Sequence, residues 1–294
     1  GTTLTSRELI YGDNGFDTFY ALSLGYNLTG DGVLRDLALR ANNGLANGCW
    51  QPRFSSFLQH STDVTTVIDM PAAFQSLYWG AEPAHVAIMN EANDAIKGHG
   101  YIRANCSTHH SVEFDPATGA IRRRFTRQGY ADGSTWTRGQ SWAINNFCPA
   151  YAATGEGKYL RIASQLADFY ISQLPEACIP YYDMDDPDIP EVPLDTCSAA
   201  QTASNLQRLE KWVPERAFEY RRVWLRALTS LVNEHLTACG TLLHGSWGRV
   251  RRSHGIGRFP QEDIMPYGNY WIAEALYRAV TPDWSLFDAT LATA

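Results

Sequence analysis

GYNLTGDGVLRDLA, from Gly25 to Ala38, lies without a gap on AYAATGEGKYLRIA, from Ala150 to Ala163, at an offset of 125 residues. In both stretches an apolar-periodic segment ends in Tyr-x-x-Thr-Gly, and an acidic residue, a second Gly and a new amphipathic segment follow at once. The first Gly suits the left-handed residue that closes a helix, and the acid suits the positive start of the next one. Each unit is therefore an αα-hairpin. Repeated hairpins close most economically into a solenoid or a toroid, because each pair buries its apolar stripe against its neighbours.

The rest of the chain extends that pattern. Helical periodicity recurs at 16–28, 33–46, 69–80, 84–98, 138–153, 158–174, 196–211, 217–238 and 264–280, and continuous β-branched strands are nearly absent. Gly30 with Gly32, Gly98 with Gly100, Gly155 with Gly157 and the acidic, proline-rich stretch from Pro180 to Pro193 fall between segments. No period near about 34 residues repeats, which disfavours an open tetratricopeptide-like array. The expectation is an all-α toroid of helical hairpins over residues 1–294, with long loops at one end.

A chain of 294 residues with 45% hydrophobic content buries a large core, and 12% aromatics suit rings packed around a cleft. With 24 basic against 31 acidic side chains, the net charge of −7 argues against nucleic acid or an anionic membrane as partner. An anionic ligand needs locally placed Arg, and two clusters exist: Arg122, Arg123, Arg124 and Arg127, then Arg249, Arg251, Arg252 and Arg258. Solvated surface is the bland reading of both. Six cysteines without a CxxC pair read as buried free thiols, not a zinc site. No apolar run is long enough to span a bilayer. No secretory leader is visible, so the cytoplasm is the expected compartment, with secretion the alternative if a leader has been removed. Oligomeric state is not legible.

Candidate chemistry gathers in Arg127-Gln-Gly-Tyr-Ala-Asp-Gly-Ser-Thr-Trp-Thr-Arg-Gly-Gln-Ser-Trp142. Asp132 lies in a Gly-containing loop before a helix that Ser134 or Thr135 could cap, and Arg138, Gln140 and Trp142 occupy its opening turns. Such a junction can offer carboxylate, guanidinium, amide and indole to one ligand; the competing reading is a helix cap with a surface Arg. Asp69 opens another helix with Pro71 in its first turn, a position an N-cap would also fill. Two carboxylates become interesting for glycosidic chemistry, where acid and base are separate groups. His109 and His110 lack a third metal ligand at suitable spacing, and no phosphate loop, GxSxG or HExxH is present.

Taken together, these stretches resemble the unsaturated glucuronyl hydrolases of glycoside hydrolase family 88. The resemblance rests on Gly12-Asp-Asn-Gly-Phe16, the Tyr-x-x-Thr-Gly linkers, Val67-Ile-Asp-Met70 with Leu77-Tyr-Trp79, Thr108-His-His110 with Phe114-Asp-Pro-Ala-Thr-Gly119, Gln128 to Trp142, and Ile179-Pro-Tyr-Tyr-Asp183. It implies an (α/α)6 barrel without metal or organic cofactor, and a chain that begins after the family's first helices. It also implies an unsaturated uronic-acid oligosaccharide as partner. The implied reaction removes a 4,5-unsaturated glucuronic acid from the non-reducing end by hydrating its C4=C5 bond. By motif, Asp69 and Asp132 are the implied catalytic residues, Asp132 as acid and then base and Asp69 as the group that orients the sugar. His110, Gln128, Trp136, Arg138, Gln140 and Trp142 are the implied substrate contacts. Where family members often carry two consecutive acids, this chain has Asp132-Gly133, and Met70 replaces the Asn that often follows the first aspartate. An unsaturated rhamnogalacturonyl hydrolase, or an inactive toroid that binds acidic sugars, are the competing readings.

Overall fold

The computed structural model describes residues 14–58, 63–249, 251–252, 255–256, 261–281 and 283–291. Its helices follow the predicted segments closely. The first hairpin pairs α1 (Asn14–Asp17), a π turn Thr18–Ser23 and α2 (Leu24–Thr29) with α3 (Gly32–Cys49). The next pairs α4 (Met70–Ala73) and α5 (Gln75–Gly80) with α6 (Pro83–Gly98). Then come α7 (Thr137–Thr154) with α8 (Gly157–Ser172), and α9 (Thr196–Trp212) with α10 (Ala217–Ser230). Finally, α11 (Pro266–Val280) leads to the short α12 (Ser285–Asp288).

Burial separates two rings. In α7 nearly every residue from Thr137 to Cys148 is buried, and α9 is buried from Thr196 to Leu209, so both are enclosed on all sides. By contrast, α8 buries only Tyr159, Ala163, Leu166, Ala167 and Tyr170, one stripe at helical spacing. The inner ring runs through the first helical run, α5, α7, α9 and α11. It closes where Tyr20 meets Tyr270 at 4.4 Å and Trp271 at 5.7 Å. This is an α/α toroid of the (α/α)6 type.

The repeated linkers have the geometry their sequence demands. Gly30 and Gly155 both adopt φ +70°, and their N–H groups donate to the carbonyls of Tyr26 and Tyr151 at 2.7 and 2.8 Å. The Thr hydroxyls repeat as well: Thr29 donates to Gly25 O and Thr154 to Ala150 O, while each accepts the N–H of the acid two residues on. Two predicted continuities fail locally. The segment 69–80 breaks at Phe74, whose ring stacks on Phe57 at 4.1 Å. The segment 217–238 ends in a π turn, Leu231–His235.

Strands are short and confined to loops: β1 (Trp50–Gln51) with β2 (Ser56–Phe57), the three-stranded β3 (Thr65–Val67), β4 (Ser111–Phe114) and β5 (Ile121–Phe125), β6 (Gly245–Gly248) with β9 (Gln261–Asp263), and β7 (Arg251–Arg252) with β8 (Gly255–Ile256). Arg122 and Arg123 pair with Asp115 and Glu113 on the exposed face of β5, in line with the surface reading of that cluster. The side chains of Arg251 and Arg252, all of Arg258, and Gly12 and Asp13 lie outside the described residues. Cys49, Cys148, Cys178 and Cys197 are buried and free. Among the described residues no helix is long and apolar enough to cross a membrane, and no cluster of three His, Cys, Asp or Glu is arranged to hold a metal.

The segment after α11 packs back across the inner ring. Asp288 accepts from Arg208 and Arg278, Glu274 accepts from Arg278 and Ser204, and Leu291 N–H donates to Trp79 O. Burial works against the Asp288 carboxylate, but the two guanidinium groups hold it down to about 2. Breaking a buried ion network by removing one partner typically costs about 3–5 kcal/mol. Asp288→Ala is accordingly expected to lower the unfolding free energy by about 3 kcal/mol in urea melts at pH 7. Because the folded carboxyl titrates below its unfolded value, that stability is complete above about pH 4 and is lost as pH falls toward 2. The gap between wild type and variant should narrow in that window; a gap that stays constant into acid contradicts this assignment.

Candidate functional site

The β3–β4–β5 sheet brings three candidates to one end. In the antiparallel register Val67 faces Ser111 and Ser111 faces Phe125, so Asp69, His110 and Thr126 follow or precede those residues at the same edge. Ile68 N–H donates to His110 O at 2.9 Å, and Asn146 Nδ2 of α7 donates to Ile68 O at 2.7 Å, fixing the backbone just before Asp69. Asp132 reaches this edge through Thr126, whose N–H donates to its Oδ1 at 3.0 Å. Thr126 lies two strand spacings from Ile68, roughly 10 Å. Asp69 is half-buried, whereas Asp132 is exposed.

The loop that carries Asp132 is held from outside its own sequence. Asp183 Oδ2 accepts from Tyr130 N–H at 2.8 Å and Ser134 Oγ at 2.7 Å, and Asp185 Oδ2 accepts from Thr135 N–H at 2.7 Å. Burial pushes the Asp183 carboxyl up against those donors. Gly129 is required here, since a Cβ would stand 2.7 Å from both Asp183 Oδ2 and Thr126 Oγ1. Arg103 donates to Gly133 O, Ser134 O and Thr108 O, lashing this loop to the one before the histidines. The expected Ser134 or Thr135 cap does not form: Trp136 is the N-cap residue, and the Ser134 hydroxyl bonds Ala131 and Asp183 instead.

Past the loop, four side chains stack in a column. The His110 ring lies 4.3 Å from Trp136 at 26°, and the Arg138 guanidinium lies 4.8 Å over Trp136 and 5.3 Å over Tyr267. Arg138 is 2% exposed. Its Nη1 donates to Asp195 Oδ2 at 2.9 Å and to Ser246 O at 2.6 Å. Burial opposes the charge, yet Asp195, Tyr267, Cys197 and Asp69 outweigh it and the guanidinium is held firmly protonated. Its Nη2, like Trp136 Nε1, has no hydrogen-bond partner among the described residues. Gly139 permits the close packing, as a Cβ there would meet the Trp136 ring at 3.1 Å.

His110 is neutral. Burial first, then Arg127 and Arg138, push its pKa well below the ordinary histidine value. Arg127 N–H donates to Nδ1 at 3.2 Å, so the ring proton sits on Nε2. Trp142 lies one turn beyond Arg138 on the same helix face, against Phe16 at 5.0 Å and Trp271 at 5.9 Å. Gln140 is on the opposite face of α7, where Nε2 donates to Leu166 O and Cys106 O. Gln128 Nε2 donates to Trp247 O at 3.1 Å, which ties the Asp132 loop to β6.

The edge thus joins Asp69, His110, Trp136, Arg138 and Trp142, with Asp132 and Gln128 at its rim and Gln140 behind. Sequence reading missed Asp195, Tyr267, Asp183 and Asp185, all of which hold predicted residues in place. Asp183 stood at the end of the Ile179–Asp183 motif without a role assigned to it, and Asp195 carried a local signal as an acid preceding a helix; its side chain does cap α9 at Ser198 N–H. Tyr267 carried none, because only the fold brings α11 to α7.

No protein-family description matches the chain. Several curated relatives are similar in sequence, two of which cover different shares of this chain. One is an unsaturated glucuronyl hydrolase of Formosa agariphila, 30% identical over 200 residues, covering 66% of this chain and 48% of that protein. The other is an unsaturated chondroitin disaccharide hydrolase of Streptococcus pneumoniae, 27% identical over 297 residues, covering 95% of this chain and 73% of that protein. The chain therefore spans about half the length of the first. Among solved structures, the unsaturated glucuronyl hydrolase of Bacillus sp. GL1 matches with a TM-score of 0.82 at 24% identity, over 92% of this chain and 75% of that one.

The neutral, buried His110 sets a pH dependence. Its folded pKa lies below the unfolded value near about 6.5, so the unfolded chain takes up a proton first as pH falls. Stability is complete above about pH 6.5 and declines in the acid range below it. His110→Gln should flatten the fall in thermal midpoint between about pH 7 and 5; an unchanged slope contradicts a neutral buried His110.

Proposed function

We propose that this chain, related in sequence and fold to the unsaturated glucuronyl hydrolases, is a single catalytic domain that removes a 4,5-unsaturated uronic acid from the non-reducing end of an oligosaccharide. The observation that carries this reading is the Arg138 guanidinium, buried between two aromatic rings within electrostatic reach of Asp69, with Nη2 not bonded to the described protein. A planar guanidinium suits a uronic carboxylate, and Arg is the side chain that recognises such groups by geometry as well as charge. Trp142 supplies apolar surface for the ring, Trp136, with its faces taken by His110 and Arg138, offers Nε1–H, and His110 offers Nε2–H to a hydroxyl or carboxylate.

The reaction begins at the double bond. An acid protonates C4, water adds at C5, and the resulting hemiketal opens to release the glycone as a keto acid. We assign the proton donor to Asp69 and not to Asp132. Asp69 is half-buried with its Oδ1 shielded from solvent, and although the Arg138 guanidinium within its electrostatic reach favours the ionised carboxyl, a substrate carboxylate seated on that guanidinium would offset this and leave the carboxyl able to exchange a proton with the sugar. Asp132 is exposed, and one oxygen is engaged by Thr126 N–H. Its role is to shape the rim beside His109, whose Nδ1 contacts Asp132 O at 3.3 Å.

Ultraviolet absorbance tests this directly. An unsaturated uronyl disaccharide should lose the absorbance of its conjugated enol ether, and the saturated counterpart should stay intact. Asp69→Asn should lower turnover by about 10²–10⁴-fold while the melting curve is kept, as expected for loss of a general acid. Asp132→Asn should cost less. Equal cleavage of the saturated sugar sinks the chemistry, binding without turnover favours a sugar-binding toroid, and a larger loss from Asp132→Asn returns the acid role to that residue.

A further inference from the structure

His244 holds a strained backbone. It adopts φ +60°, a left-handed conformation that residues other than glycine rarely keep without a compensating contact. That contact is another histidine: His235, which ends the π turn after α10, places its Nδ1 2.7 Å from His244 Nδ1, with the two rings at 83°. Leu243 N–H also donates to His235 O at 2.8 Å, so the pair closes the base of the loop between them. His235 is buried and His244 half-buried.

From that base the chain runs straight to Arg138. Thr196 ties it to the head of α9, its Oγ1 donating to Leu243 O at 2.6 Å and its N–H to His244 O at 3.2 Å. Gly245 packs so tightly that a Cβ would stand 2.9 Å from Cys197 Sγ and from Met265 Cγ. Ser246 comes next, and its backbone touches both ions of the buried pair: its O accepts from Arg138 Nη1 and its N–H donates to Asp195. The turn at His244 therefore sets where the guanidinium is held.

We infer that His244, clamped by His235, is a positioning residue for the carboxylate-binding Arg138, and that the clamp opens when both rings are protonated; this rests on the proposed function. Nitrogens 2.7 Å apart share one hydrogen, one ring donating and the other accepting. One extra proton can sit on Nε2 of the donor ring and leave the bond in place. A second puts hydrogens on both facing atoms and breaks it, so the titration belongs to the pair. Burial first, then His244, push His235 below the ordinary histidine value, while Glu234 of its own turn and Glu262 of β9 pull the other way. The carboxylates of Asp195 and Asp263 are turned elsewhere, to Arg138 and to Ile264 N–H. The clamp therefore holds at neutral pH and fails in the acid range below about 6.5.

The test is KM for an unsaturated glucuronyl disaccharide between about pH 7.5 and 5, measured in three chains. In the wild type, KM should rise roughly 3- to 10-fold toward the acid end, the worth of one buried hydrogen bond. His235→Phe keeps a ring but no Nδ1, so its KM should exceed that of the wild type by the same factor at about pH 7.5 and converge with it at about pH 5. His235→Gln offers an amide that can bond His244 whether or not that ring is protonated. It should match the wild type at neutral pH and keep the lower KM in acid, with kcat within about twofold throughout; if the Phe variant does not fold, this comparison decides alone. A gap between His235→Phe and wild type that is absent, or constant across the range, overturns the clamp while leaving the reaction intact. So does a His235→Gln chain that shows the full wild-type rise in acid. A wild-type chain that consumes no disaccharide overturns the proposed function, and the clamp with it.

Discussion

The pairing of Arg138 with Asp195 is the constraint on which this architecture turns. Two ions that are 2% and 0% exposed are costly to bury, and the cost is offset only when geometry and further contacts satisfy both. Here the bond joins α7 to the residue that caps α9, and the same nitrogen reaches Ser246 O in β6. Three elements distant in sequence are thereby fixed to one guanidinium. The flanking Trp136 and Tyr267 rings set its plane, and with it the direction of the Nη2 left over.

Around that bolt, the toroid is a scaffold with two distinct solutions for its interior. At the loop end the inner surface is aromatic, from Phe16 and Trp142 to Trp271 and Tyr270. Toward the returning C-terminal segment it is ionic, with Arg208, Arg278, Glu274 and Asp288 mutually satisfied. An inner helix enclosed on every side cannot rely on a solvated face for its polar groups, so Ser141 pairs with Gln201 and Asn205 with Asn145. These bonds specify which helix neighbours which, a task that apolar packing alone performs poorly.

Much of the fold was legible because it is encoded locally. The Thr-Gly-acid-Gly linker writes its own C-cap, side-chain bond and helix restart, and each appeared twice with matching geometry. Periodicity placed the helices but not the interruptions at Phe74 and Leu231, which depend on what a ring or a turn packs against. For the site, the Gln128 to Trp142 stretch showed Arg138, Trp136 and Trp142 because they share one loop–helix junction. Gln140 falls on the far side of that helix, as its two-residue offset from Arg138 places it about 200° away. Which of the two aspartates is shielded and which is exposed was not legible, because exposure comes from tertiary packing. Tyr267 and Ser246 were equally hidden, since their relevance comes from α11 and β6 reaching α7 across more than a hundred residues.

Whether this buried guanidinium receives the carboxylate of an unsaturated sugar is decided most directly by a crystal structure of the Asp69→Asn chain soaked with an unsaturated glucuronyl disaccharide. The expected result is a uronic carboxylate within hydrogen-bond distance of Arg138 Nη2, with the substituted side chain at position 69 facing C4. A sugar bound away from the Trp136–Arg138–Tyr267 column, with Nη2 still unpartnered, would contradict it.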